Sequence, residues 1–313
     1  MTNYWTDSEI NKLKNLLGKI SFYEMTKRFP DRTRSSLIHK TNKLGLSNNF
    51  HFRKHFFNND FWDIPNITNS YFGGFIAADG NISDKSVIIS LSTKDILILE
   101  RLKKVSEFTG LIRSYSRKNY QKETYKQVST ICFNTIGKWI IDLKKHFNIV
   151  PAKSLIIQPP NLNNDLLKFV YLIGFLDGDG WISFSRNRLT LGCVSGSYDL
   201  VYWLRAFLLK YFLTSLRKES RLPQIHQGTK NGEKKNCFYF TFSGSRAEKI
   251  VDFVCQLPIF KLDRKWNNPK VLEFLEHKKQ QYPDFFKLTP ELQNLKDQIP
   301  QARSPETGIV NNI

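Results

Sequence analysis

The 313-residue chain is short of several things, and each shortage excludes a class of protein. It has only four cysteines, Cys132, Cys193, Cys237 and Cys255, and no two of them stand in CxxC spacing. That rules against a zinc ribbon, a thioredoxin-type redox site and a disulfide scaffold. They read as reduced core residues, so the expected setting is an intracellular, reducing compartment: a bacterial or phage-infected cytoplasm, or an organelle. No long charge-free apolar run occurs, so no membrane span is expected. The opening residues Met1-Thr2-Asn3-Tyr4-Trp5-Thr6-Asp7 lack a signal-peptide pattern. Acidic residues are scarce as well, 28 Asp+Glu against 47 Lys+Arg, which leaves a net charge of +19. Such an excess fits a polyanionic partner, and with membrane set aside the partner is nucleic acid. A P-loop, a His-rich nuclease motif and a Ser/His/Asp arrangement are all missing. Residue 1 is neither Cys nor Ser, which speaks against an intein.

What is present is a phrase stated twice. Tyr71-Phe72-Gly73-Gly74-Phe75-Ile76-Ala77-Ala78-Asp79-Gly80-Asn81-Ile82-Ser83 returns as Tyr171-Leu172-Ile173-Gly174-Phe175-Leu176-Asp177-Gly178-Asp179-Gly180-Trp181-Ile182-Ser183, 100 positions on. Repetition at this period marks two related units. Each phrase reads as an apolar helix ending on a carboxylate. Gly74 with Ala78, and Gly174 with Gly178, are small residues at i and i+4 on one helical face. Gly inside a helix costs roughly 1 kcal/mol, so close packing of the two helices is the expected reason for them. Gly80 and Gly180 suit the left-handed residue that ends a helix. Side by side, the helices bring Asp79 and Asp179 together. Carboxylates there oppose the helix dipole and each other, which raises a pKa unless a cation intervenes. The oxygen-rich cluster suits Mg²⁺, and divalent ions there would activate water and stabilise a leaving phosphodiester oxygen.

On these residues the sequence resembles the LAGLIDADG homing endonucleases in their single-chain, two-motif form. Leu172 to Gly180 follows the nine-letter motif closely, and Phe72 to Gly80 follows it more loosely. Ala77 stands where the family often has an Asp, a departure that bears on local capping rather than on the metal. The resemblance implies that Asp79 and Asp179 hold two or more Mg²⁺ ions, with Mn²⁺ able to substitute. It also implies that the carbonyls of Ala78 and Gly178 lend themselves to metal. Val150-Pro151-Ala152-Lys153-Ser154 and Leu262-Asp263-Arg264-Lys265-Trp266 resemble the segments carrying an active-site lysine, which makes Lys153 and Lys265 the choices, with Arg264 able to replace Lys265. A polar residue often follows the second strand of each repeat in the family. Thr93 and Gly196 fall near those places here, with Ser92 or Ser195 as substitutes, so the residue that positions water stays open.

Residues 1–48 read as a separate three-helix unit. Thr6 with Glu9 is a capping box, and Ile10, Leu13, Leu16 and Leu17 keep helical spacing to Gly18. Trp5, Leu13, Phe29, Arg32-Thr33, Leu37, Lys40 and Leu44-Gly45-Leu46 resemble Myb/SANT-like helix-turn-helix modules, whose third helix lies in the major groove. By position, Arg34, Ser35, His39, Lys40 and Lys43 would face DNA. Residues 49–65 form a basic, aromatic linker.

The expected fold class is α+β. Two pseudo-symmetric αββαββα repeats, at 66–163 and 164–280, form a saddle of strands, with the small N-terminal module and a tail at 281–313 that is peripheral or partly disordered. Strand alternation places Arg113, Tyr115 and Arg117 on one face, and Arg217 and Arg221 on one face of a strand running from 215 to 227. With Lys126, Arg186 and Gln224 these are the candidates for base and phosphate contact. The expected function is a monomeric, site-specific double-strand DNA endonuclease; the resemblance implies 3′ overhangs and a long, imperfectly palindromic site, and the unequal halves fit an asymmetric target. The rivals are a group I intron maturase, which binds intron RNA, and a catalytically silent DNA-binding regulator.

Overall fold

The computed structural model describes residues 4–17, 20, 22–46, 55–119, 124–134, 137–212, 222–230 and 233–300. The chain divides into two compact units, Met1–Phe56 and Phe57–Ile313.

The first unit holds α1 (Asp7–Leu16), α2 (Phe22–Arg28) and α3 (Arg34–Lys43). The capping box forms: Thr6 Oγ1 accepts from Glu9 N at 3.2 Å, and Glu9 Oε2 accepts from Thr6 N at 2.8 Å. Leu13, Met25, Phe29 and Leu37 make the small core, with Trp5 and Phe22 packed around it. Arg32 closes one side of the unit. Its Nε and Nη2 donate to the two Glu9 oxygens at 2.9 and 3.0 Å, and the guanidinium lies 4.6 Å from the Trp5 ring centre. That contact, with the Thr6 amide, holds the Glu9 carboxyl down at about 2. Thr33 caps α3, and Gly45, at φ +65°, turns the chain out of it.

The second unit repeats one order of elements. α4 (Ile67–Asp79), β1 (Gly80–Ile82), β2 (Ser86–Ser92), α5 (Ile96–Val105), β3 (Arg113–Asn119), β4 (Thr124–Asn134) and α6 (Gly137–Phe147) form the first copy. α7 (Asp165–Asp179), β5 (Gly180–Ser185), β6 (Arg188–Ser195), α8 (Tyr198–Phe212), β7 (His226–Lys230), β8 (Glu233–Ser243) and α9 (Ser245–Gln256) form the second. Each copy builds an antiparallel four-stranded sheet, in the orders β1-β2-β4-β3 and β5-β6-β8-β7. The α+β class and the doubled αββαββα order are therefore as read from the sequence.

Alternation along the strands sorts the two sheet faces. Val87, Ile89 and Leu91 of β2, with Ile131 and Phe133 of β4, point into the core, as do Leu191, Cys193, Phe240 and Phe242 of the second sheet. α5 covers β2 and β4, while α8 and α9 cover β6 and β8.

α4 and α7 pack against each other so tightly that their backbones touch. A Cβ on Gly74 would lie 1.8 Å from the Tyr171 carbonyl oxygen, and one on Gly174 would lie 1.9 Å from that of Tyr71. The reciprocity is the mark of a twofold relation between the copies. Gly80 and Gly180 depart from expectation. They are extended (φ −75° and −97°) because each helix runs straight into the first strand of its copy. Their glycine is needed for room: a Cβ would meet the Ile76 or Leu176 carbonyl oxygen at 2.6 or 2.5 Å.

Two segments at the margins also belong to this core. Phe57, Phe61 and Trp62 are buried against Trp139 of α6, and Trp139 Nε1 donates to the Asn58 carbonyl at 2.9 Å. The tail expected to be peripheral is folded up to residue 300. After α10 (Asp263–Trp266) and α11 (Pro269–Gln281), it forms α12 (Pro283–Phe286) and α13 (Pro290–Asp297). Leu292, Leu295 and Ile299 are buried in the main core, which a polar composition had hidden.

Gly174→Ala is expected to lower stability by about 3 kcal/mol or more, because a methyl cannot share space with a main-chain carbonyl. Gly137→Ala, where no atom lies within 4 Å of the new methyl, should be neutral or slightly stabilising. Urea unfolding of both variants checks this; a wild-type midpoint for Gly174→Ala would refute the contact.

Candidate active site at the paired helix ends

The contact between α4 and α7 continues to their last residues. A Cβ on Gly178 would sit 2.4 Å from Ala78 Cβ and 3.2 Å from Asp79 Oδ2, so the Asp79 carboxylate lies against the final turn of α7. Asp79 and Asp179 end their helices at this junction. Burial pushes both carboxyls up, and the neighbouring Asp79 charge helps bring Asp179 to about 6. Asp79 keeps an exposed edge towards solvent, and Asp179 is half-buried.

Two lysines answer these charges. Lys153 begins a single 3-10 turn, Lys153–Leu155, and its Nζ donates to the carbonyls of Ala77 at 2.6 Å and Ala78 at 3.2 Å. Lys265 on α10 donates to Leu176, Asp177 and Gly180, each at 2.7 Å, and stands 3.5 Å from the Gly178 oxygen. Each ammonium thus bonds to main-chain carbonyls at a helix C-terminus, and offsets the negative end of the dipole where an aspartate also sits. Burial lowers the pKa of both lysines, against the pull of the two aspartates. The carbonyls of Ala78 and Gly178, expected to serve a metal, lie 3.2 and 3.5 Å from these ammonium nitrogens. Arg264 does not stand in for Lys265. Its Nε and Nη2 form a bidentate pair with Asp95 at 2.6 and 2.8 Å.

Asp177 is the functional residue that sequence reasoning passed over. Fully buried, it accepts from Tyr71 Oη at 2.7 Å, Leu262 N at 2.8 Å and Trp266 Nε1 at 2.6 Å. Burial raises its pKa, and the three donors act against that rise. Other contacts cross between the copies. Asp95, just after β2, grips Arg264 of the second copy, while Ser197, just after β6, donates to the Ile157 carbonyl of the first at 2.6 Å. A Cβ on Gly196 would come within 2.3 Å of the Ser154 oxygen. Each lysine-bearing segment is therefore held by the strand–helix junction of the opposite copy. Among the candidates for positioning water, Thr93 accepts from Ser129 Oγ at 3.1 Å and Ser195 accepts from Ser197 N at 3.2 Å, while Ser92 is exposed.

The helix-free faces of the sheets carry the other candidates. Arg113, Tyr115 and Arg117 pair in register with Thr130, Val128 and Lys126, so Arg113, Tyr115, Arg117 and Lys126 share one exposed face. Arg186 lies at a tight turn rather than in a strand: it and Asn187 take φ +49° and +53°, the pattern of a two-residue hairpin. Gln224 is exposed in the coil before β7, because Pro223 cannot donate to a ladder and the strand starts only at His226. Arg217 and Arg221 lie outside the described residues. In the N-terminal unit Arg34, Ser35, His39 and Lys43 are exposed along α3. Lys40 is half-buried, with Nζ 5.9 Å from the Trp5 ring centre.

For a cation, the donors at the helix ends are two aspartates, and among the described residues no group of three His, Cys, Asp or Glu side chains forms a metal site. Oxygen-only ligation by two carboxylates fits Mg²⁺, which keeps several waters and completes its shell with substrate phosphate oxygens. No helix is long and apolar enough to cross a membrane among the described residues.

The raised Asp179 pKa carries a signed consequence for stability. With a folded value near 6 and an unfolded value of about 3.9, the fold favours the neutral acid. That contribution is whole below pH ~4 and disappears as pH rises through about 6. Asp179→Asn is therefore expected to melt a few degrees above wild type at pH 7.5 in chelator, with the gap closing in acid. A variant that melts below wild type at pH 7.5 would contradict the assignment.

No family model matches the sequence, and no curated protein does. Several solved structures are similar to it in fold. The LAGLIDADG meganuclease I-AabMI bound to uncleaved DNA shares 14% identity over 74% of this chain and 98% of that chain, at a TM-score of 0.40. The I-LtrWI LAGLIDADG homing endonuclease bound to target DNA shares 11% over 77% and 97%, at 0.39. The N-terminal LAGLIDADG domain of DUF199/WhiA shares 14% over 76% and 92%, at 0.37.

Proposed function

We propose that the chain is a site-specific double-strand DNA endonuclease of the LAGLIDADG homing type, acting as a monomer. One observation carries the reading. At a single junction two aspartates with raised pKa values meet, flanked by Lys153, buried at the end of α4, and Lys265, half-buried at the end of α7, each lysine acting on both acids. A structural end to a helix needs no such expense, since removing both charges would remove the repulsion. Strained charge of this kind is characteristic of functional sites. Two half-sites also match the two strands of a duplex.

In this reading Asp79 and Asp179 supply the carboxylates for Mg²⁺, with Mn²⁺ as a substitute. Bound there, the cation would lower the pKa of a water and stabilise the leaving oxygen. Lys153 and Lys265 place positive charge beside the two scissile phosphates, where negative charge grows in the transition state. Main-chain carbonyls hold the ammonium groups, Lys265 through three bonds of 2.7 Å and Lys153 through one of 2.6 Å and one of 3.2 Å. Each hydrolysis consumes one water and breaks one phosphorus–oxygen bond, once per strand. Arg113, Tyr115, Arg117 and Lys126 then lie on a face suited to the major groove, where a β-ribbon reads base edges. Arg186 at its hairpin tip suits a backbone phosphate.

The test is Mg²⁺-dependent cleavage of a randomised duplex library by wild type and by Asp179→Asn. Enriched cut sites with wild type alone are expected. Tight binding in Ca²⁺ without cleavage in Mg²⁺ would instead turn the assignment to a group I intron RNA-splicing cofactor or to a silent DNA-binding regulator.

The exposed basic residues of α3 give the N-terminal unit a part in binding. Deleting residues 1–48 is expected to weaken DNA affinity and flatten its salt dependence while sparing cleavage at saturating enzyme. Unchanged affinity in a salt titration would remove that unit from the interface.

A further inference from the structure

The two half-sites are not held alike, and the difference has a kinetic reading that rests on the nuclease assignment above. We propose that Asp177 is a positioning residue for Lys265, that repeat 1 has no equivalent, and that the strand served by Lys265 is consequently cut first, with a nicked duplex as intermediate.

In repeat 2 the buried Asp177 carboxylate ties three elements together. It takes the Tyr71 hydroxyl from α4, the Leu262 amide from the start of the lysine segment, and the Trp266 indole from the residue after Lys265. Leu262 and Trp266 bracket Lys265, so both ends of its single helical turn are fixed to α7. The bidentate Asp95–Arg264 pair fixes the same turn from the other copy. Lys265 itself makes three short bonds to carbonyls, one for each ammonium hydrogen.

Aligning Lys153 with Lys265 shows what repeat 1 lacks. Ala77 stands for Asp177, Val150 for Leu262 and Ser154 for Trp266. The counterpart of Tyr71 is Tyr171, and its buried hydroxyl has no hydrogen-bond partner among the described residues, as expected where the facing acid has become alanine. The Lys153 turn is entered through Ala152 at φ +56°, a left-handed conformation that costs energy for a residue with a Cβ. Lys153 makes one short carbonyl bond and one of 3.2 Å. A cation already fixed at its station stabilises developing charge without reorganisation, and one that must first settle does not.

The experiment follows both strands of one selected duplex, each labelled at its own 5′ end, in single-turnover reactions. Lys265→Met and Lys153→Met identify the strand each lysine serves. Wild type should accumulate a nick on the Lys265 strand. Asp177→Asn keeps the shape but turns an amide towards the three donors. It should slow the Lys265 strand about tenfold or more while leaving the other strand within about twofold, since small misplacements of a catalytic group are costly. Tyr71→Phe, the milder variant should Asp177→Asn fold poorly, should shift the strand ratio the same way, and Tyr171→Phe should not. Competitive acylation of the lysines, read by mass spectrometry without DNA, gives a second readout: Asp177→Asn should raise the reactivity of Lys265 and leave Lys153 unchanged. Equal nicking rates in wild type, equal slowing of both strands, or unaltered Lys265 reactivity would each overturn the inference while the nuclease assignment stands. A wild type that cuts neither strand would sink that assignment and this inference with it.

Discussion

Everything in the larger unit depends on one close approach, between the glycine at the middle of each motif helix and a tyrosine carbonyl of the other. Gly74 against Tyr171 and Gly174 against Tyr71 leave no space for even a methyl group. Only at that separation do the helix ends meet, and only then do Asp79 and Asp179 feel each other. The sheets, the lysine segments and the contacts between copies are all arranged around an axis that this contact defines. Larger side chains at these glycines would force the helices apart and separate the acids.

The junction it creates is electrostatically unfavourable by itself. Two carboxylates sit at the negative ends of two helix dipoles, partly removed from water. Lys153 and Lys265 relieve this without neutralising it, because their ammonium groups bond to main-chain carbonyls rather than to the aspartate oxygens. The acids keep their lone pairs for another partner. Positive charge is held near them but not on them, an arrangement that suits a site built to receive further cations and anions together.

Much of this was legible beforehand, and the parts that were not share a cause. The Thr6–Glu9 box, the motif helices and the order of helices and hairpins along each copy rest on neighbours in sequence, and all were readable. Gly80 and Gly180 were misjudged because glycine has two uses, and nothing local tells a left-handed turn from a close approach. Asp177 looked like a dispensable letter of a motif because Tyr71, Leu262 and Trp266 lie far away along the chain. The same holds for Arg264, whose pairing with Asp95 spans the two copies, and for Leu292, Leu295 and Ile299, buried from within a polar stretch. Pro223 was the one overlooked local signal: it should have stopped the strand short of Gln224.

The span of the central contact also bears on how the molecule comes into being. Each sheet joins strands that are near one another in sequence, and such pairings close small loops. The helix pairing joins residues about a hundred positions apart and needs the first helix of the second copy to have been synthesised. Contacts of long sequence separation form late, because the entropy of closing their loop must be overcome before they contribute. The acid pair is therefore expected to assemble after the hairpins of the first copy. A nascent chain that has not yet reached α7 holds only half of the acid pair, so the first copy by itself has one carboxylate where the folded unit has two.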